Sequence, residues 1–277
     1  MKASTPVTDI KYWKSEQLFD TGLASYTLTH HSFAHHFHEH FVIELVVKGA
    51  DKFYCNGKTY TAVPGEFVFI NPGEVHTGST VTGQLLQYYS LAPGRDELNQ
   101  IAAALEKKLP PDFCFQHSLS RQPQLAHKML SLFHAVEFFS AENLQCEEWF
   151  LDFMNALINK AYYNTDENFK VDKKDVRVQQ LIDFIHASFT EQISLQQMAQ
   201  QVTTSPFHLI RLFKAATGLS PYEYLLVLRI EHAKQLLQKG YAVQDAALKS
   251  GFYDASHFNR LFRKVSGANP KIFRPSK

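Results

Sequence analysis

Cysteine is scarce in this sequence, and long apolar runs are missing from it. Cys55, Cys114 and Cys146 are the three cysteines among 277 residues, and they form no Cys-x-x-Cys pair. Such wide spacing is typical of unpaired thiols in a reducing cytoplasm. The polar first 14 residues lack the apolar stretch of a signal peptide, and the apolar run at 41–47 is interrupted by Glu44 and too short to cross a bilayer. We therefore expect a cytoplasmic protein with no membrane span.

Common catalytic motifs are missing too. The sequence contains no glycine-rich phosphate loop, no nucleophile elbow and no paired-carboxylate motif. This favours a protein without catalysis, and we expect no cofactor. The apolar fraction of 45% and the charged fraction of 20% are ordinary for a folded chain, and 277 residues suffice for two domains.

Charge of either sign is unevenly distributed along the chain. Residues 177–277 contain 13 lysines and arginines against 6 aspartates and glutamates, a net charge of +7. Residues 1–176 contain 15 against 21, a net charge of −6. A basic second part is a candidate for contact with phosphates, so the two parts are expected to have different partners.

Residues 26–91 are predicted to form β-strands. Short apolar or β-branched runs are separated by the turn signals Asn56-Gly57, Pro64-Gly65 and Asn71-Pro72-Gly73. Asn-Gly between 52–55 and 58–62 predicts a tight hairpin, because both residues tolerate a positive φ. Many short antiparallel strands favour an all-β barrel or jelly roll, which we assign to residues 1–95.

Residues 96–164 are predicted to be helical. Two sets of apolar residues recur at a spacing of three to four: Met129, Leu132, Phe133 and Val136, and then Phe150, Phe153, Met154, Leu157 and Ile158. The helices at 124–161 also contain Phe138, Phe139 and Trp149. Together with Phe150 and Phe153, these are more large apolar residues than one face against a small barrel needs, so we expect this segment to form a homodimer. The polar stretch at 165–175 is interpreted as a linker.

Residues 176–277 are predicted to form an all-α domain. Helix starts are indicated by Ser194-x-x-Gln197 and Ser220-Pro221-x-Glu223, which have the pattern of capping boxes. Ser205 and Asp254 are further candidate N-caps. Helix ends are indicated by Gly218, Gly240 and Gly267.

An internal repeat lies within this helical region. Six residues recur at an offset of 49: His208, Arg211, Leu212, Phe213, Gly218 and Pro221 recur as His257, Arg260, Leu261, Phe262, Gly267 and Pro270. In each copy a short helix containing a small residue, Ala199 or Ala247, precedes a short turn and a second helix. That layout predicts two helix-turn-helix units rather than a plain duplicated helical hairpin.

The second helix of each unit has one apolar and one polar face. The apolar faces, expected to be core, hold Leu209, Leu212 and Phe213 in the first unit and Phe258, Leu261 and Phe262 in the second. The outward faces hold Phe207, His208, Ile210 and Arg211, and then Ala255, Ser256, Asn259 and Arg260. Arginine and asparagine are the side chains that read guanine and adenine edges in the major groove.

The motifs of this region resemble the signature of the AraC/XylS family of regulators. The resemblance covers residues 178–274 and runs through Phe213-x4-Gly218-x2-Pro221-x2-Tyr224, Leu228-Arg229-x3-Ala233-x2-Leu236-Leu237 and Ala247-x3-Gly251-Phe252-x5-Phe258-x3-Phe262-x4-Gly267-x2-Pro270-x2-Phe273-Arg274. Two departures are Thr203, where the family usually has glycine, and Ala246, where it usually has isoleucine. The first would stiffen the turn, and the second would leave its helix less firmly packed.

This resemblance implies a transcription regulator that binds double-stranded DNA. A long helix at 221–239 would hold the two units so that they enter successive major-groove segments, about 34 Å apart. By position, the base-facing residues would be those of the two outward faces named above. Lys214, Arg263 and Lys264 would contact phosphates, which set affinity and register rather than sequence preference.

The segment at 36–76 resembles the cupin-like sensor domain of the same family. The match runs through His38-x-His40, Gly49, Gly57, Pro64-Gly65 and Asn71-Pro72-Gly73-Glu74-x-His76. It implies a pocket for a small-molecule effector, such as an amino acid or a similar metabolite, bounded by His38, His40, Glu44 and His76. Alternate residues of a strand point the same way, so His38 and His40 would converge if they lie on one. The neighbouring His30, His31, His35 and His36 are interpreted as solvated.

A metal is the alternative occupant of that pocket. His38, His40, Glu44 and His76 also fit the cupin metal-binding pattern, and three histidines and a glutamate suit iron, manganese, nickel or zinc. The sequence thus predicts a two-domain protein, with a cupin-like barrel and helices followed by an all-α domain with two helix-turn-helix units. We favour a ligand-controlled DNA-binding regulator with a metal-free pocket. The alternative is a metal-binding cupin, either a metal sensor or a metal-dependent enzyme, fused to a DNA-binding tail.

Overall fold

A computed structural model describes residues 8–29, 31–81, 84–139, 143–163 and 175–274. Contacts divide the chain into two compact units. The first contains most of the strands and the helices up to residue 163, and the second contains residues 175–274 together with the short segments Ser32–Phe37 and Val75–Thr77. The expected linker at 165–175 lies outside the described residues except for Asp175.

Among the described residues, ten strands form two sheets. Their bounds are β1 Thr8–Trp13, β2 Gly22–Thr29, β3 Ser32–His36, β4 Val42–Lys48, β5 Asp51–Cys55, β6 Lys58–Ala62, β7 Glu66–Ile70, β8 His76–Thr80, β9 Leu85–Ala92 and β10 Leu119–Arg121. The six-stranded sheet has the order β1-β2-β9-β4-β7-β10, and the four-stranded sheet has the order β3-β8-β5-β6. The all-β fold class expected for this part is confirmed.

The predicted Asn-Gly hairpin is present between β5 and β6. Cys55 pairs with Lys58, and the φ angles of Asn56 and Gly57 are 51° and 77°. Positive φ at both central residues is the conformation of the type I′ turn, whose twist matches that of the flanking strands.

In the segment at 96–164, the described residues form three helices and one strand. The helices are α1 Arg95–Ala104, α2 Pro123–Phe138 and α3 Leu144–Tyr163. The uninterrupted helical interpretation is wrong between 105 and 122, where β10 pairs with β7 through Leu119 and Val68. Three residues carry too little periodicity to reveal a strand whose partner lies about fifty residues away.

The main core of the first unit lies between one face of the six-stranded sheet and the three helices. Leu23, Ile43, Leu45, Phe67 and Leu91 of the sheet are nearly inaccessible to solvent, and they pack in one cluster with the helices. The helix residues in this cluster include Met129, Leu132, Phe133, Val136, Phe150, Phe153, Met154, Leu157 and Ile158. Phe150 and Phe153 are therefore core residues, and the expectation that they add to an exposed apolar surface is wrong.

Residues 175–274 of the second unit are helical, as predicted. Its helices are α4 Val176–Ser188, α5 Leu195–Gln201, α6 Pro206–Thr217, α7 Pro221–Gln238, α8 Val243–Lys249 and α9 Ala255–Ser266, followed by a 3-10 turn at Pro270–Phe273. The two capping boxes form, and the side chains of Ser205 and Asp254 cap α6 and α9. Gly218, Gly240 and Gly267 all have positive φ at helix ends.

Candidate nucleic-acid interface and ligand site

The first helix-turn-helix unit consists of α5, a four-residue turn and α6. The turn contains Thr203 at a φ of 51°, and Thr204 donates its backbone N–H to the carbonyl of Ala199 at 3.0 Å. A β-branched residue is rarely left-handed, because its Cβ crowds the backbone. Thr203 therefore stores strain at the position where the family usually has glycine.

The second helix-turn-helix unit, α8 and α9, repeats this geometry with a turn that is one residue longer. Here Gly251 has a φ of 82°, and Phe252 donates its backbone N–H to Ala247 at 3.0 Å. The residues of this turn contact are 48 positions apart in the two copies, whereas the helices α6 and α9 that follow are 49 positions apart. The second turn therefore contains one additional residue. The sequence repeat detected the second helices and missed this insertion.

The apolar faces of α6 and α9 are buried as expected. Leu209, Phe213, Phe258 and Phe262 are at most 1% exposed. Leu212 and Leu261, also predicted as core, are only partly buried. Each second helix is thus fixed by two fully buried side chains one turn apart, which leaves its other side outward.

The outward faces hold the residues predicted to contact DNA. Phe207, His208 and Arg211 of α6 are exposed, and Phe207 keeps 72% of its surface accessible. Ala255, Ser256 and Arg260 of α9 are exposed as well. Ile210 and Asn259 are partly buried, and the side-chain amide of Asn259 donates to the carbonyl of Ala255 at 2.8 Å. The predicted phosphate contacts Lys214, Arg263 and Lys264 are exposed.

Helix α7 holds the two units together. It contacts α5 and α6 of the first helix-turn-helix unit and α8 and α9 of the second, and most of its side chains are buried. Its Arg229 donates from Nε to the carbonyl of Phe189 and from Nη2 to that of Glu191, both at 2.6 Å. Nδ1 of His232, also on α7, lies 2.9 Å from the hydroxyl oxygen of Ser250 in the turn of the second helix-turn-helix unit. These contacts fix the loop before α5 and the turn after α8 to one helix.

The ligand-site residues His38 and His40 do not lie on a strand. They occupy the connection between β3 and β4, so the expectation that strand alternation aligns them is wrong. Their rings nevertheless stack, with centroids 4.8 Å apart and planes inclined by 22°. The convergence of the two side chains therefore arises from a bend in the chain.

His76 forms a second histidine pair with a residue that was predicted to be solvated. His76 begins β8 and is 8% exposed, and the His36 ring lies 4.2 Å from its ring. His36 is 4% exposed and donates from Nδ1 to the carbonyl of Ala34 at 2.7 Å. The solvated interpretation is wrong for His36, whereas His35 is exposed and His30 lies outside the described residues.

Glu44 lies on the other face of the six-stranded sheet from the main core. Strand pairing places it beside Ser90, and Tyr88 next along the same face pairs with Tyr26. The Tyr26 and Tyr88 rings stack at 4.6 Å. Burial raises the pKa of Tyr88 well above its usual value, and the nearby charge of Glu44 raises it further.

Asp51 belongs to the same polar surroundings, although it lies in the other sheet. Its charge also contributes to the raised pKa of Tyr88. Burial raises the pKa of Asp51 itself to about 7, although its Oδ1 accepts the backbone N–H of Ser79 at 3.1 Å. The inner face of the sheet, defined here as the face carrying Glu44, Tyr88 and Tyr26, is therefore acidic and hydroxyl-rich. Sequence reasoning found Glu44 but missed Asp51, Tyr88 and Tyr26.

Two family models match the chain in succession. Residues 22–151 match an AraC-like ligand binding domain, and residues 198–276 match a helix-turn-helix domain. This order of the two parts is the one that the sequence motifs and the geometry of α5–α9 indicate. The chain belongs to the AraC family of transcription regulators.

Relatives of this AraC-family regulator are similar over most of their length. The HTH-type transcriptional regulator YbfI of Bacillus subtilis is 28% identical over 225 residues, which is 81% of each chain. The HTH-type transcriptional activator RhaS of Escherichia fergusonii is 28% identical over 253 residues, which is 88% of each chain. The expected regulator, with a ligand-binding part and a DNA-binding part, is thereby confirmed.

Solved structures share the fold of the regulator. An apo variant of ToxT from Vibrio cholerae strain SCE256 has a TM-score of 0.58 at 15% identity, covering 97% of this chain and 96% of that one. Wild-type ToxT from the same strain with a bound unsaturated fatty acid has a TM-score of 0.54 at 15% identity, covering 97% and 94%. In the part of the chain that the structure describes, no helix has the length and apolarity that crossing a membrane requires.

Proposed function

We propose that this regulator reads specific DNA sequences with α6 and α9 and acts in the cytoplasm without catalysing a reaction. The observation that carries the proposal is the equivalent placement of Arg211 and Arg260. Each is exposed on the outward face of a second helix whose other face is locked into the core. An arginine in the major groove can donate two hydrogen bonds to one guanine, which specifies a base.

The remaining exposed residues complete this interface. Phe207 presents an apolar surface to the thymine methyl group, while Asn259 can offer its amide to adenine once it leaves the Ala255 carbonyl. Lys214, Arg263 and Lys264 supply charge toward the phosphates. The net charge of +7 over residues 177–277 makes the affinity strongly dependent on salt.

Alanine variants of the two arginines test this proposal. Arg211→Ala and Arg260→Ala should each reduce discrimination between the DNA upstream of the gene and a scrambled duplex by about 1–3 kcal/mol. Lys264→Ala, the matched control for a lost positive charge, should weaken binding to both duplexes equally. Fluorescence anisotropy at several salt concentrations measures these affinities. Equal losses on both duplexes for the arginine variants would show that they contact phosphates only.

We propose further that a small-molecule effector binds at the inner face of the six-stranded sheet. The carboxyl groups of Glu44 and Asp51 and the phenol of Tyr88 bring acceptors and a buried hydroxyl group together there, and a few convergent polar groups are what fix the orientation of a small ligand. A metabolite carrying an ammonium or several hydroxyl groups fits this chemistry, and amino acids are within that class. We retain His38, His40 and His76 as candidate ligand-binding residues together with Glu44.

Two measurements distinguish this effector from the metal alternative. Glu44→Gln and His40→Ala should abolish the response of DNA binding to a candidate amino acid, while leaving DNA binding without ligand unchanged. Elemental analysis of the purified protein should find less than a molar equivalent of transition metal. A full equivalent of metal that is lost in His40→Ala would instead support a metal sensor.

We also propose that the regulator is a homodimer formed through α2. Leu130, His134 and Phe138 recur every fourth residue along this helix, so they form one stripe. Leu130 is 41% exposed and Phe138 is 71% exposed, and the His134 ring lies 4.4 Å from the Phe138 ring, inclined to it by 34°. Phe139, which follows the helix, and Leu144, at the start of α3, are exposed apolar residues as well. A second copy of the chain is the partner that covers such a stripe by two-fold symmetry.

A further inference from the structure

Two short segments that precede the helical domain in the sequence belong to the second compact unit. They are Ser32–Phe37, which contains β3, and Val75–Thr77, which contains the start of β8. β3 contacts α9, one of the two helices that we propose to read DNA. The second segment contains His76, and His38 directly follows the first. Both segments therefore contain or adjoin residues of the proposed effector site.

Phe37 packs into the core of the helices. It is 1% exposed, and its ring stacks on that of Tyr224, with centroids 4.4 Å apart and planes inclined by 22°. Tyr224, on the first turn of α7, also meets the ring of Phe213 edge-on at 5.4 Å. The hydroxyl oxygen of Tyr224 lies 3.2 Å from Nε2 of His186 on α4. Since Phe213 is one of the two buried side chains that fix α6, Phe37 supports α6 through Tyr224.

Val75 packs at the end of α6. Gly218 ends this helix with a φ of 81°, and a Cβ added to it would lie 3.4 Å from Cγ1 of Val75. Within the second compact unit, the two segments therefore contact both the end of α6 and the start of α7. Protein interiors are packed so closely that a displacement of either segment must move its neighbours.

A pair of histidines joins the two segments. The rings of His36 and His76 lie 4.2 Å apart, and both residues are at most 8% exposed. His36 directly precedes Phe37 in the sequence. Packed rings thus lead from His76, through His36 and Phe37, to Tyr224 and the core beneath α6. Contiguous packing of this kind can carry energetic coupling between two sites.

We propose that these four rings, His76, His36, Phe37 and Tyr224, form a ring relay that transmits the state of the effector site to α6. The relay depends on the proposed function, because it takes His76 as part of the effector site. An effector that contacts His76 in only one of two conformations would favour that conformation, and α6 would shift with it. Phe37 is a positioning residue, because it acts on α6 through Tyr224.

Phe37→Leu in the full chain tests the ring relay, because leucine keeps an apolar side chain but removes the stacked ring. Discrimination between the DNA upstream of the gene and a scrambled duplex should fall roughly tenfold, the size of one lost bidentate base contact. Phe53→Leu is the matched control, since Phe53 is 2% exposed in the first compact unit and its ring stacks on Tyr60 at 5.0 Å. Both variants lose a buried ring, but Phe53→Leu should bind both duplexes like the original chain. Fluorescence anisotropy measures the affinities, and circular dichroism verifies that each variant is folded.

A double-variant cycle tests the order of the ring relay. His76→Ala, which removes the ring that packs on His36, should also reduce discrimination in the original chain. It should have little further effect in Phe37→Leu, because the path to α6 is already interrupted there. Additive losses in the double variant, or discrimination by Phe37→Leu that equals that of Phe53→Leu, would overturn the inference.

Amide hydrogen exchange gives a second readout that does not depend on DNA. Exchange in α6 should be faster in Phe37→Leu and in His76→Ala than in the original chain, and it should be unchanged in Phe53→Leu. Equal exchange in the original chain and all three variants would overturn the inference, whatever the DNA affinities are. An original chain that fails to discriminate between the two duplexes would instead refute the proposed function, while the exchange rates still decide whether the ring relay supports α6.

Discussion

Gly251 lies at a crowded backbone position in the turn of the second helix-turn-helix unit. Its φ is +82°, and a Cβ added there would lie 2.9 Å from both the carbonyl oxygen of Thr190 and Nε of Arg229. Neither neighbour can retreat easily, because Arg229 is hydrogen-bonded to the carbonyls of Phe189 and Glu191 on either side of Thr190. Alanine at this position must therefore displace the turn or break the Arg229 contacts.

Gly240 provides a matched control in the same helical unit. Its φ is +88°, yet an added Cβ would meet no atom within 4 Å. Gly240→Ala should therefore cost only the left-handed strain of an L-residue, about 1–2 kcal/mol. Gly251→Ala adds the steric conflict to that strain, and we expect a total loss of roughly 3–5 kcal/mol in the free energy of unfolding.

Urea unfolding of the full chain, followed by far-UV circular dichroism, measures both losses. Gly251→Ala should also lose affinity for specific DNA, because the turn that it displaces sets the angle of α9. Gly240→Ala should bind DNA like the original chain. If the two alanine variants are equally stable, the contact of Gly251 with Thr190 and Arg229 imposes no real constraint, and the account of α7 as a rigid support is wrong.

Two further predictions concern the first unit. Burial raises the pKa of Asp51 to about 7 in the folded chain, above its value of 3.8 when exposed. Ionised Asp51 therefore destabilises the folded chain at alkaline pH. This loss of folding free energy disappears as the pH falls from 7 towards 4, because the carboxyl group becomes protonated in the folded chain. Asp51→Asn keeps an acceptor for the backbone N–H of Ser79. It should raise the free energy of unfolding by up to about 4 kcal/mol at pH 8 and by less than half of that at pH 5. Urea unfolding at both pH values measures the two effects, and equal effects would refute the prediction. Phe138→Ser removes the most exposed ring of the α2 stripe and should convert a dimer into a monomer at micromolar concentration in sedimentation velocity, whereas a dimer that persists in this variant would place the interface elsewhere.

The DNA-binding part could be predicted closely because its signals are local. A capping box occupies four consecutive residues, a helix-ending glycine needs only its own φ, and the Arg211 and Arg260 faces follow from the period of a single helix. The same locality explains the accurate Asn56-Gly57 hairpin. The inserted residue in the second turn was missed, because it shifts only the short first helix of the repeat and leaves the six matching positions aligned.

The ligand-binding part depends on pairings that are distant in sequence. The spacing of His38 and His40 is that of alternate residues on a strand. However, β3 ends at His36 and β4 begins at Val42, so both histidines lie in the connection between the two strands. Asp51 has no neighbouring signal that separates it from a solvated turn residue. Its burial follows from the packing of strands around Tyr88, which is encoded in long-range register rather than in local spacing.

Side-chain alternation on the six-stranded sheet separates the main core from the inner face, where we propose that the effector binds. On β4, Ile43 and Leu45 face the helices and belong to the main core, whereas Glu44 between them shares the inner face with Tyr88. Substitution of a core neighbour such as Ile43 by alanine would create a cavity and lower the free energy of unfolding by about 2–5 kcal/mol. Substitution of Glu44 instead alters a face whose polar groups contribute little to stability, because burying them is unfavourable. At the effector site that we propose, a substitution on the inner face should therefore change the polar groups offered to the ligand at little cost to the fold.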